Sequence, residues 1–180
     1  MPRSLLSRLA ATLLLAACAA PDRVTAPPVP PIAIAPAPDP AATDGSASIA
    51  ATRLALEAAS HGLLYTSESD YPFTYVFRAG PVATPVTEAA FRAAFGVPAA
   101  TPVEVITLDA FFARHIERVD PADPVGMALV PRYVALRETL RHVLRQTRVF
   151  RVGRIAIGCY VVGTDWAGHI VGLSTVSIET

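Results

Sequence analysis

Histidine and serine, the side chains most often used in catalysis, occur in this sequence at spacings that fit no catalytic or metal-binding motif. The histidines are His61, His115, His142 and His169. None pairs with another at metal-ligand spacing, so we expect each to be a surface or helix-end residue. Ser174 lies in a run that lacks the second glycine of a nucleophile elbow, and we interpret it as a strand residue. We therefore predict a protein that is not an enzyme, uses no cofactor and has no metal site of its own.

Cysteine and arginine residues also fit structural roles better than chemical ones. Cys159 alternates with isoleucine and valine on one face of a predicted strand, which favours a small buried hydrophobic residue over a nucleophile. Four arginines follow each other at spacings of four, four and three along a predicted helix, at positions 137, 141, 145 and 148. This row could bind phosphate, but a solvated helix face is the favoured interpretation.

Acidic and hydroxyl oxygens are concentrated at two places. One is a loop that contains Glu68 and Asp70, and the other is the end of the sequence, where a strand-like run stops at Glu179 and Thr180. Serine and aspartate in a loop are also explained by local turn hydrogen bonds. Chain ends usually fray unless they are tied down, so a terminus that directly follows a strand would place a carboxylate and a hydroxyl at the sheet edge. The four residues would form an acidic, oxygen-rich patch if the fold brings them together.

The hydrophobic pattern predicts the elements that must position these residues. Helices are predicted over 46–64, 87–95, 108–114 and 131–146, and strands over 73–78, 103–107, 149–152, 154–162 and 169–178. Residues 118–131 contain three prolines and a glycine and predict irregular structure, with Pro131 at the start of the longest helix. Together these elements predict an α/β (α+β) domain, with one sheet and helices packed on it.

Composition excludes several classes of protein. The 180 residues carry 15 basic and 15 acidic side chains, whereas a nucleic-acid-binding protein normally has an excess of positive charge. We therefore expect no direct contact with nucleic acid. The two cysteines, Cys18 and Cys159, are too few for a disulfide scaffold or a thiolate zinc site.

The first residues have the pattern of an export signal. Arg3 and Arg8 precede an apolar run over 9–17, which is too short to span a bilayer. The run ends in Leu15-Ala16-Ala17-Cys18, which looks like a bacterial lipobox. We predict a lipoprotein signal peptide over 1–17 and lipidation of Cys18, with a secretory signal cut near residue 17 or 20 as the alternative. The absence of aspartate at position 19 favours the outer membrane, and we expect the protein on its periplasmic face. The lipid would be its only contact with the membrane.

A proline-rich segment follows the predicted signal. Residues 19–45 contain eight of the seventeen prolines, which predicts a polyproline-like or disordered linker that reaches roughly 80 Å when extended. The remaining residues, 46–180, are numerous enough to form one domain with its own core.

Two motifs in this predicted domain resemble the nuclease A inhibitor family. The first is Gly62-Leu63-Leu64-Tyr65-Thr66-Ser67-Glu68-Ser69-Asp70-Tyr71-Pro72-Phe73, and the second is the stretch from 149 to the final Glu179-Thr180. Between them, the segments 108–112 and 133–144 match in order, so the resemblance covers about residues 50–180. It implies a three-layer α/β/α sandwich with a mixed, largely antiparallel sheet. It also implies a monomer that inhibits a sugar-non-specific, Mg-dependent ββα-metal nuclease.

The resemblance also implies roles for single residues. Thr180 would reach toward the catalytic magnesium of the nuclease, and Glu68 would pair with an arginine in its active site. With Glu179 and Asp70, these residues form the predicted nuclease-binding set. Residues 114–131 depart from the family because they replace an acidic, tryptophan-bearing stretch, and the neutral charge predicts weaker electrostatic steering. The alternative is an envelope lipoprotein that uses the same fold to bind a different partner.

Overall fold

The structure is a computed structural model that describes residues 45–180. The predicted signal peptide over 1–17, the predicted lipidation site Cys18 and the linker up to residue 44 lie outside the described residues. The elements are α1 (Gly45–Ser60), β1 (Leu64–Thr66), β2 (Asp70–Pro72), β3 (Thr74–Arg78), α2 (Glu88–Phe95), β4 (Val103–Ile106), α3 (Leu108–Ile116), α4 (Pro124–Val143), β5 (Arg145–Val152), β6 (Ala156–Thr164) and β7 (Ile170–Ile178). Within residues 45–180, every helix is too short or too polar to cross a membrane.

Five strands form the central sheet, in the order β3-β7-β6-β5-β4, and each neighbouring pair is antiparallel. The last strand, β7, therefore lies inside the sheet, between β3 and β6. Strands β1 and β2 form a separate small hairpin in which Thr66 is paired with Asp70. This hairpin carries the predicted acidic loop.

Alternate residues of the central strands pack into two different cores, because successive side chains of a strand point to opposite faces. Val149 and Val161 face a core that they share with α1, α3 and α4. The neighbouring Phe150 and Val162 face a second core with α2, where Phe150 stacks on Phe91 with ring centroids 4.2 Å apart. The sheet is therefore covered by helices on both faces. The predicted α+β fold is confirmed.

Helix α4 begins seven residues earlier than predicted, so the prediction of irregular structure is wrong from residue 124 onward. Asp123 caps the helix by accepting a hydrogen bond from the backbone N–H of Val125 at 3.0 Å. Pro124 occupies the first turn, where a missing N–H costs nothing. Pro131 lies inside the helix and removes a single backbone hydrogen bond, which the packing of this long helix tolerates.

Two helices, α4 and α1, also end earlier in the chain than predicted. Helix α4 ends at Val143 because Leu144 has an extended backbone, and β5 starts at Arg145. Two of the four arginines that we placed on one helix face, Arg145 and Arg148, are therefore strand residues. Helix α1 ends at Ser60, and the hairpin β1–β2 that follows was not predicted because its strands are only three residues long.

Candidate functional site

The two predicted acidic segments meet at one end of the central sheet. The loop 67–69, which joins β1 to β2, lies against the end of β7. The backbone N–H of Ile178 donates to Ser67 Oγ at 2.9 Å, and the N–H of Glu68 donates to the Ile178 carbonyl at 3.4 Å. Ser67 Oγ in turn donates to the carbonyl of Ser69, which closes the loop on itself. We call the loop 67–69 together with Glu179 and Thr180 the tail site.

Glu68 and Thr180 are in direct contact at the tail site. Glu68 Oε1 accepts hydrogen bonds from the backbone N–H of Thr180 at 3.1 Å and from its hydroxyl at 2.8 Å. The same hydroxyl lies 3.0 Å from Glu68 Oε2. Both residues are exposed, so the pair faces solvent. The fold thus brings together two of the four predicted site residues.

The other two predicted site residues have different surroundings. Glu179 is half-exposed, and its carboxylate accepts hydrogen bonds from Arg151 at 2.5 Å and from Ser177 Oγ at 2.9 Å. Burial alone would raise the pKa of Glu179, but these hydrogen bonds and the charge of Arg151 outweigh it and hold the pKa below its usual value. Asp70 is exposed at the start of β2, and within residues 45–180 no hydrogen bond links its carboxylate to Glu68 or Thr180.

Buried aromatic residues hold the hairpin that carries Glu68. The hydroxyl of Tyr133 on α4 donates to the carbonyl of Leu64 at 2.6 Å. Nε2 of His115 on α3 accepts a hydrogen bond from the backbone N–H of Thr66 at 3.0 Å. Tyr65, between these two positions, packs its ring 4.8 Å from the ring of His115. The two exposed residues of β1, Leu64 and Thr66, are therefore held in place by hydrogen bonds to their backbone atoms.

His115 differs from the expected surface or helix-end histidine. It does lie in the last turn of α3, but it is only 6% exposed. Burial, with a smaller contribution from the charge of Arg114, lowers its pKa from 6.5 to about 4. Because Nε2 accepts the Thr66 bond, the neutral ring carries its proton on Nδ1. This nitrogen is buried and has no partner among the described residues.

The remaining candidates behave as structural residues. Cys159 is fully buried on β6, and burial raises its pKa to about 11, so the predicted hydrophobic role is confirmed. Ser174 is a residue of β7, as predicted. Arg137 and Arg141 form surface ion pairs with Asp109 and Glu138. Across residues 45–180, no three His, Cys, Asp or Glu side chains are placed to hold a metal ion.

Sequence reasoning missed the polar residues that hold the tail site. Arg151 bonds both Glu179 and Glu104, which lies opposite it on the neighbouring strand β4. The sequence signal for Arg151 was a charged residue within the predicted strand 149–152, whose other residues belong to the two cores. Ser67 and Ser177 are further examples, because a serine in a loop or a strand does not reveal its partner.

The chain matches a known family over the part that contains these elements. The family model described as nuclease A inhibitor-like protein matches residues 50–180, from within α1 to Thr180. No curated protein matches the chain.

Proposed function

Because the chain belongs to the nuclease A inhibitor-like family, we propose that it is a lipid-anchored inhibitor of a sugar-non-specific, Mg-dependent ββα-metal nuclease. The family implies a nuclease-inhibitor role and a nuclease partner, and its members are inhibitors rather than enzymes. The observation that carries the proposal is the contact between Glu68 and Thr180 on an exposed end of the sheet.

The proposed mechanism assigns the terminal carboxylate of Thr180 to the nuclease's magnesium. The N–H and the hydroxyl of Thr180 are both engaged by Glu68, so the α-carboxylate is the group that remains for a partner. Magnesium prefers hard oxygen ligands and usually keeps several of its waters, so this carboxylate would bind it directly or through one water. It would take the place of a substrate phosphate oxygen.

Glu68 would have a second role in the same complex. Its carboxylate is exposed, and the hydrogen bonds from Thr180 leave lone pairs free on both oxygens. An arginine of the nuclease active site would therefore reach it while Thr180 stays in place, in a charge-assisted and bidentate pair. The two neighbouring negative groups repel each other in the free protein, and a partner that brings a cation and an arginine relieves that repulsion.

The lipid anchor and the cellular location are further parts of the proposal. The lipobox-like motif at Cys18 supports attachment to the envelope, on the periplasmic face of the outer membrane. The proline-rich linker would then let the inhibitor meet a nuclease roughly 80 Å from the membrane surface. An anchored inhibitor at this place would protect the cell's nucleic acid from an exported nuclease.

The decisive experiment titrates the protein against a sugar-non-specific ββα-metal nuclease and measures DNA hydrolysis in the presence of magnesium. Four variants separate the roles. Deletion of Thr180 moves the terminal carboxylate back to residue 179 and removes the N–H and hydroxyl that bond Glu68, whereas one glycine added after Thr180 moves the carboxylate forward by about 3.8 Å. Glu68→Ala removes both proposed roles of Glu68. Glu68→Gln keeps an oxygen that can hold Thr180 and removes the charge that would attract arginine.

We expect stoichiometric inhibition by the unchanged protein. Deletion of Thr180 and Glu68→Ala should each cost about 2 kcal/mol or more, which is about thirtyfold in the inhibition constant. The inhibition constant of Glu68→Gln should lie between those of Glu68→Ala and the unchanged protein. Glu88→Gln, an exposed residue of α2 on the other side of the sheet, is the matched control and should have no effect. Absence of inhibition by micromolar unchanged protein would refute the proposal for that nuclease and favour a binding module with a different partner.

A further inference from the structure

We propose that Glu179 makes no contact with the nuclease and is instead a positioning residue, which Arg151 holds in place so that Thr180 keeps one conformation. This inference rests on the proposed function, because Thr180 is the group that would be positioned. It also changes the role that the acidic end of the sequence predicted for Glu179, from a nuclease-binding residue to an anchor of the chain end.

The carboxylate of Glu179 is already engaged inside the protein. Oε1 accepts hydrogen bonds from Arg151 Nη2 at 2.5 Å and from Ser177 Oγ at 2.9 Å. The backbone N–H of Glu179 donates to the carbonyl of Ile155, in the turn between β5 and β6, at 3.0 Å. Residue 179 is therefore fixed through both its side chain and its backbone. The side chain is 43% exposed, so a nuclease group that bound Oε1 would have to compete with these bonds.

Arg151 is itself fixed from the opposite side. Its Nη1 donates to Glu104 at 2.5 Å, and the two residues are directly paired across β4 and β5. The side chain of Arg151 is only 18% exposed, whereas those of Glu104 and Glu179 are 60% and 43% exposed, so water competes less for the guanidinium than for the two carboxylates. The arginine thus connects the sheet to the last residues of the chain and cannot turn outward without losing two carboxylate partners.

Thr180 is consequently held from two sides. Glu179, directly before it, is bound to β5 and to the turn after β5, whereas Thr180 itself is bound to Glu68 in the hairpin loop. Terminal residues fray unless they are tied down, and a ligand that is ordered before binding loses less entropy when it binds. Loss of the Arg151–Glu179 bond would leave the Ile155 carbonyl and Glu68 as the main restraints on the last two residues, so the carboxylate of Thr180 would sample positions that do not fit a metal site.

One test needs no nuclease. The full chain is treated with a serine carboxypeptidase, and the release of threonine is followed over time. Glu179→Ala and Arg151→Gln should each accelerate release at least about fivefold, because both free the last residue from the sheet. Glu179→Gln retains an oxygen that can accept the bonds from Arg151 and Ser177, so it should give an intermediate rate. Arg145→Gln, at the other end of β5, is the matched control and should leave the rate unchanged.

A second test separates positioning from direct contact. The inhibition constant is measured for the full chain, for Glu179→Ala, for the protein without Thr180, and for the double variant. We expect Glu179→Ala to weaken inhibition about tenfold when Thr180 is present and less than about twofold when it is absent. A residue that touches the nuclease itself would cost the same factor in both backgrounds. Melting temperatures of all variants identify any variant that fails to fold.

The outcomes distinguish this inference from the proposed function. Equal factors in the two backgrounds, with unchanged threonine release, would refute positioning while inhibition by the unchanged protein still supported the inhibitor role. No inhibition by the unchanged protein would refute the proposed function, and the carboxypeptidase rates would then still decide whether Arg151 and Glu179 order the tail.

Discussion

Acidification should destabilise this protein through one buried histidine. His115 accepts a hydrogen bond from the N–H of Thr66, and its pKa is lowered from 6.5 to about 4 in the folded protein. Protonation of Nε2 would place two donors against each other and introduce a charge beneath the β1–β2 hairpin. The unfolded chain, in which the ring is solvated, does not pay this cost.

The sign and the size follow from the difference between the two pKa values. Between pH 6.5 and 4 the unfolded state binds a proton that the folded state does not, so stability falls as the pH is lowered. One pKa unit corresponds to about 1.4 kcal/mol, which gives a loss of about 2 kcal/mol at pH 5 relative to pH 7. The loss reaches about 3 kcal/mol near pH 4, where the folded state is half protonated, and levels off at about 3.4 kcal/mol below about pH 3, where both states are protonated at this residue.

Urea unfolding at pH 7 and pH 5 measures this difference. His115→Gln retains an acceptor for the Thr66 N–H but cannot be protonated, so it should lose about 2 kcal/mol less than the unchanged protein over this interval. At pH 7 the variant itself should be less stable by about 1–2 kcal/mol, since the ring packs between Tyr65 and Tyr133. His142→Gln, an exposed residue of α4, is the control and should follow the unchanged protein. An equally steep pH dependence in His115→Gln would refute the reasoning.

Three further variants test the framework around the tail site by chemical denaturation. Tyr133→Phe removes the hydrogen bond to the Leu64 carbonyl and should cost about 1 kcal/mol; a loss below about 0.3 kcal/mol would mean that water replaces the hydroxyl. Phe91→Ala removes the ring that stacks on Phe150 in the second core and should cost about 3–5 kcal/mol, so a small effect would contradict the placement of α2. Asp123→Ala removes the cap of α4 and should cost about 1 kcal/mol, whereas no loss would argue for a helix start nearer Pro131.

The sequence predicted the central sheet well because its strands carry strong apolar patterns. The strands β5, β6 and β7 were recognised from runs rich in β-branched residues, which the structure divides between the two cores. Elements without such a pattern were missed. The hairpin strands are only three residues long, and the backbone of β1 is held by His115 and Tyr133, which lie about 50 and 70 residues away in the chain.

The tail site could be predicted only in part for a related reason. Glu68 and Thr180 were singled out by resemblance, and hydrogen bonds across 112 residues of sequence bring them together. Arg151 could not be identified, because its role depends on the antiparallel register that pairs it with Glu104. The apolar pattern fixes the face to which each residue points, but β4 and β5 are separated by two helices, so no short turn identifies which of their residues lie opposite each other. The start of α4 was misplaced because proline was weighed as a helix start at Pro131, while the same residue type at Pro124 was not.

The position of β7 inside the sheet makes the complete sheet and the proposed inhibitory end depend on the same strand. Strand β3 joins the central sheet only through β7, and the pairing of Thr74 with Ser174 closes a loop of 100 residues. Closing so long a loop is entropically costly, and β3 cannot join the sheet before β7 is in place. The hairpin loop 67–69 also needs β7 as its support. A chain that lacks β7 therefore has neither the complete sheet nor the proposed inhibitory end.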